Sequence, residues 1–155
     1  MTPVKRIYDA FFNLITDDLY LEMTKEETER DAKAFLLSSL PLYEFPEAPL
    51  DLIEDEENGD YIQANLALEE VNILATGMVQ KWLERQIYTI ELTRQKFSGS
   101  DFKLSSQASH LAKLMAALTM TKNEHRRLQM LRTRRRVNKD GKYESAFDLF
   151  VKPMR

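Results

Sequence analysis

A mainly α-helical fold is what this sequence predicts, and three observations carry it. Apolar residues recur at spacings of three and four through most of the chain. Proline and glycine are scarce, four Gly and five Pro in 155 residues, and they cluster between the periodic stretches rather than within them. A composition of 43% apolar and 30% charged residues with 15 aromatics supplies a core for one domain of this length.

Thr2-Pro3 reads as a helix start, a hydroxyl N-cap followed by proline at the first helical position. Val4, Ile7, Tyr8, Phe11, Leu14 and Ile15 then form one stripe, so residues 3–19 are expected to be an amphipathic helix. Thr24-Lys25-Glu26-Glu27 matches the capping box. The helix it opens, about 24–40, presents Ala32, Phe35, Leu36 and Leu40 and stops before Pro41.

Residues 41–60 change character. Pro41, Pro46 and Pro49 oppose a helix, and eight carboxylates lie between Glu44 and Asp60 with no basic residue among them. Leu42, Tyr43, Phe45, Leu50, Leu52 and Ile53 point to an irregular acidic strap packed over helices. Tyr61–Ala64 reads as a short extended piece, with Asn65 as the next N-cap. The run from Asp51 to Asp60 fails the calcium-loop pattern, since Ile53 occupies the third position and Gly59 falls three places late. A solvated loop or a contact for a basic neighbour is the expectation there, not a metal site.

Two long helices follow, at about 66–96 and 105–137. Leu68, Val71, Ala75, Met78 and Trp82 line the first; Leu111, Leu114, Met115, Leu118 and Leu131 line the second. Each would span roughly 46 Å at 1.5 Å per residue, more than a compact domain of this size. The predicted architecture is therefore two short helices packed on an antiparallel long pair with a projecting tip at Phe97–Lys103. Gly77 inside the first long helix suggests a close helix crossing. Trp82, Ile87 and Ile90, with Phe97, Asp101 and Phe102 at the tip, are expected to form subunit contacts. The helical domain is expected to cover residues 1–142. Residues 143–155 form an extended docking tail carrying Tyr143, Phe147, Leu149, Phe150 and Val151.

Charge is unevenly distributed. Residues 1–121 hold 11 Lys/Arg against 21 Asp/Glu, whereas 122–142 hold nine basic residues against two acidic ones. Such a dipolar chain suits head-to-tail self-association or contact with a polyanion. Arg126, Arg127, Arg132, Arg134, Arg135 and Arg136 are candidates for phosphate contact without sequence preference, because consecutive arginines on a helix point all around it and no aromatics interleave them.

Enzymatic chemistry is not expected. There is no cysteine, no Gly-rich phosphate loop, no H-E-x-x-H and no G-x-S-x-G. His110 follows Ser109 directly, and adjacent helical residues do not face one another. No cofactor and no metal is expected, and no stretch of 18 uninterrupted apolar residues suggests a membrane span.

The stretch Met78 to Ile87, then Lys96 to Lys103, Ser106 to Leu111, and the arginine-rich Leu128 to Val137 resemble small virion proteins of tailed bacteriophages. The match is to the head–tail connector, or adaptor, family. It spans roughly residues 60–137 together with Ile15 to Tyr20, and the 41–60 strap falls outside it. The resemblance implies a homo-oligomeric ring, a dodecamer, beneath the portal in the virion neck, with long helices around a DNA conduit. It implies three partners besides itself: the portal protein, the next neck or tail protein, and double-stranded DNA passing through. It also implies a carboxyl-terminal tail docked on the portal. The alternative reading is a small DNA-binding regulatory or packaging protein using the basic 122–142 segment; a scaffolding or chaperone-like helical protein is a third.

Overall fold

The computed structural model describes residues 1–15, 19–55, 57–96, 104–137, 140 and 142–145. The fold is mainly α, as expected. Its elements are β1 (Thr2–Pro3), α1 (Val4–Phe12), α2 (Leu19–Glu22), α3 (Lys25–Ser39), β2 (Leu52–Ile53), β3 (Tyr61–Ile62), α4 (Leu68–Lys96), α5 (Leu104–Arg134), β4 (Arg135–Val137) and β5 (Tyr143–Ser145).

The amino terminus departs from the expected 3–19 helix. Thr2 is not a cap: its hydroxyl donates to the Ala64 carbonyl at 2.9 Å and accepts the Leu66 N–H at 2.7 Å. Thr2–Pro3 instead pairs antiparallel with Tyr61–Ile62, and Leu52–Ile53 pairs on the other side, giving the order β1-β3-β2. These partners lie about sixty residues away, so no local pattern specifies them. α1 ends at Phe12, and its stripe Val4, Ile7, Tyr8 and Phe11 is buried. The Phe12 ring meets Tyr20 edge-on at 5.1 Å, and Leu14 is left exposed.

The capping box is present. The Glu27 N–H donates to the Thr24 hydroxyl, and the Thr24 N–H donates to the Glu27 carboxylate. α3 buries Ala32, Phe35, Leu36 and Ser39 and gives way at Pro41 to a single 3₁₀ turn, Leu40–Leu42.

α4 starts at Leu68 rather than after Asn65. Its N-cap is Ala67, whose carbonyl accepts the Glu70 and Val71 N–H groups and whose own N–H is taken by the Glu70 carboxylate at 2.9 Å. α4 is the centre of the molecule, packed against α1, α3 and α5. Every residue from Ile73 to Gln80 is buried, so this stretch is enclosed all round rather than striped. Gly77 explains how three helices fit: a Cβ there would lie 3.2 Å from the Ser39 Cβ and 3.4 Å from His125 Nε2.

α5 runs antiparallel to α4, as the pairs Glu84–Lys122, Glu70–Arg132 and Glu69–Arg135 require. It ends at Arg134, three residues earlier than expected. Arg135–Val137 leave the helix as β4 and pair with Tyr143–Ser145, so the first residues of the expected tail belong to the domain. Among the described residues no helix is long and apolar enough to cross a membrane.

Candidate functional site

The carboxyl-terminal half of α5 is where the strap, α4 and the basic segment meet. Its inner side is polar. His125 and Gln129 are 4% and 7% exposed, one turn apart on the face toward α4. Gln129 clasps the strap: its Oε1 accepts the Glu44 N–H at 2.9 Å, and its Nε2 donates to the Leu42 carbonyl at 3.0 Å. Nε2 also lies 3.2 Å from His125 Nδ1, while His125 bonds the Ile73 backbone on α4. Burial holds the imidazole below its ordinary range, against an opposing pull from Glu44. A neutral ring can accept the Gln129 Nε2 donor at Nδ1.

One turn further on, Arg132 reaches from α5 to Glu47 at 2.8 Å and toward Glu70 at 3.8 Å, its side chain 10% exposed. Burial is the largest influence on this guanidinium and lowers its pKa; the Glu47 and Glu70 carboxylates outweigh it and leave the pKa raised. Its Nε finds no acceptor among the described residues. The Tyr43 hydroxyl meets Glu70 at 3.4 Å, and burial together with Glu70 pushes that phenol up to about 12. Three of the strap's acids thus have basic neighbours, one of the two arrangements expected of the acidic run. Besides Glu47, Glu54 and Asp60 bracket Lys33 at 2.6 and 2.7 Å.

The six candidate arginines separate into distinct environments. Arg132 is removed from the phosphate-contacting set, because it is buried and ion-paired beneath the strap. Arg135 is exposed but bound to Glu69 at 2.8 Å, and it and Arg136 lie on a strand, not a helix. Arg126, Arg127 and Arg134 are exposed and line one shallow surface cavity with Asn123 and Met130; Arg127 carries Glu124 as a surface partner.

Of the expected subunit contacts, Trp82 packs on the core while Ile87 and Ile90 are half-buried. Phe97, Asp101 and Phe102 lie outside the described residues. So do Phe147, Leu149, Phe150 and Val151; Tyr143 stands in β5 opposite Val137. Among the described residues, the large apolar side chains that do face outward on the long pair are Leu68, Tyr88, Leu92, Met115, Met120 and Met130. Helical spacing assigns Met115 to the buried stripe with Leu114 and Leu118; those two pack on the core, and Met115 is exposed.

Sequence pattern singled out Tyr43 only as an apolar strap residue and did not single out His125, Gln129 or Glu70 at all. The available signal was a pair of polar residues, His125 and Gln129, continuing at i, i+4 the inward stripe of Leu114, Leu118 and Thr121. Chemically the arrangement is a rigid polar clasp inside and a basic, partly apolar surface outside. No family model matches this chain, and neither a curated protein nor a solved structure matches it.

Proposed function

We propose that this chain is a virion structural protein, a head–tail connector subunit that self-assembles into a ring between a portal and the next neck or tail component, around a DNA conduit. The observation that carries the reading is the uncovered length of the α4–α5 pair. From Gln86 onward the described part of α4 holds no fully buried residue, and Tyr88, Leu92, Met115 and Met120 face outward. A pair this long with apolar side chains facing outward suits a subunit that finishes its packing against a neighbour. The resemblance of residues 60–137 to the connector family supports the same reading. Arg127 and Arg134 then supply sequence-independent phosphate contact, and the carboxyl-terminal tail supplies portal attachment.

Sedimentation of the purified chain, alone and mixed with a phage portal protein, tests the reading. A ring-sized species, alone or on the portal, is the expected result. A monomer or dimer in both cases that binds duplex DNA with sequence preference overturns it in favour of a regulatory protein.

A further inference from the structure

α5 is flanked by two grooves of about 600 Å³ each. One lies against the strap and is walled by α5 residues Arg126, Gln129, Met130 and Thr133. The other lies against α1 and is walled on α5 by Glu124 and Leu128. At 100° per residue these two sets point roughly 170° apart, so the grooves open on opposite flanks of the helix.

Each groove combines exposed apolar side chains with an exposed charge. On the strap side Phe45 is 65% and Met130 52% exposed, beside Arg126; Glu44 also lines this groove. On the α1 side Leu14 is 57% and Leu68 63% exposed, beside Asp9. Arg6 lines it too, but its Nη1 donates to the Leu66 carbonyl. Neither Arg126 nor Asp9 has an ion pair or side-chain hydrogen bond among the described residues. Arg, Phe and Met at a concave surface are the composition of an interface core. Two different patches on opposite flanks generate head-to-tail contacts, which close into a ring or run on as a filament.

We infer that the two grooves are the two halves of one heterologous interface: the strap-side groove of one copy packs on the α1-side groove of the next. Phe45 and Met130 bury against Leu14 and Leu68 of the second copy, and Arg126 pairs with its Asp9. The inference rests on the self-assembly reading above and specifies which surfaces meet.

Charge reversal on the full chain tests it, read by sedimentation velocity with circular dichroism to confirm the fold. Arg126→Glu and Asp9→Arg each place like charges across the contact, so each variant alone should assemble at least tenfold more weakly than the unaltered chain. An equimolar mixture of the two restores opposite charges at every contact and should recover the full assembly, as should the double variant. If folded single variants assemble like the unaltered chain, or neither the mixture nor the double variant recovers, the interface is wrong while the ring reading stands. If the unaltered chain stays monomeric alone and with the portal, both fall. A closed dimer as the largest species overturns the head-to-tail arrangement.

Discussion

Gly77 sits between the end of α3 and the side of α5, and its missing side chain sets how closely the three helices approach. In an isolated helix Gly→Ala is favourable by up to about 1 kcal/mol. Here the added carbon would meet the Ser39 Cβ at 3.2 Å. Ser39 and His125 are both buried and hydrogen-bonded, Ser39 through its hydroxyl to the Leu36 carbonyl, so neither yields cheaply. Gly77→Ala should therefore destabilise, by about 1–3 kcal/mol as overpacking does. Thermal unfolding would show a fall of several degrees; an unchanged or raised midpoint contradicts the crossing argument. His125 makes a second residue-scale case. Burial lowers its pKa in the folded state, so the unfolded chain binds more protons below about pH 6.5. Its contribution is fully present above the unfolded value and is lost as pH falls below that value through the folded pKa. A proton on Nδ1 would also face the Gln129 Nε2 donor and oppose the strap clasp. Urea unfolding between pH 7.5 and 5.5 should show stability falling with acid, by up to about 1.4 kcal/mol per pH unit, and His125→Gln should flatten that dependence. Parallel curves for the two proteins would remove His125 as the cause.

At the scale of elements, α5 presents different chemistry on each side. Its inner face carries the clasp, and its outer face carries Arg126, Arg127 and Arg134 with little internal obligation. With Arg126 taken by the subunit contact, Arg127 and Arg134 neutralise two phosphates, and the logarithm of affinity for random duplex DNA should fall with the logarithm of salt at a slope of about −1.8. Replacing Arg134 by Gln should reduce that slope by about 0.9. Arg132→Gln should leave the slope alone and lower stability instead, by roughly 1–3 kcal/mol, because it leaves Glu70 buried with less compensation. A salt titration by fluorescence anisotropy, with melting curves for both variants, separates the two roles. Equal slope losses for Arg132 and Arg134 would refute the division.

At the scale of the molecule, the end of the chain divides at Ser145. β5 pairs with β4 in register from Tyr143 opposite Val137 to Ser145 opposite Arg135, so removing residues 143–155 deletes part of the domain. Removing only 146–155 spares that pairing. The shorter deletion should keep the helical signal and the unfolding midpoint while losing portal attachment. The longer one should also lower the midpoint, modestly, since a two-stranded pairing is weak alone. If the shorter deletion unfolds the protein, those ten residues belong to the subunit's own packing and not to a partner contact.

What the sequence by itself determined were the features with local causes. The Thr24–Glu27 box marks α3 because its bonds span three residues. The long periodic stretches mark α4 and α5, and the prolines mark the strap. Gly77 announces a crossing because a glycine in a helix needs a reason. Tertiary structure decided whatever depends on partners far along the chain. Thr2 looked like a cap and became a strand, because its hydroxyl partners are at positions 64 and 66. The arginine run looked uniform, yet Arg132 turned inward to the strap's Glu47 while Arg134 remained outside. Charge and spacing say which residues are available to make a contact. Only the packing of strap on helix says which side of the helix is left to make it, since burial excludes water from one face and leaves the other to it.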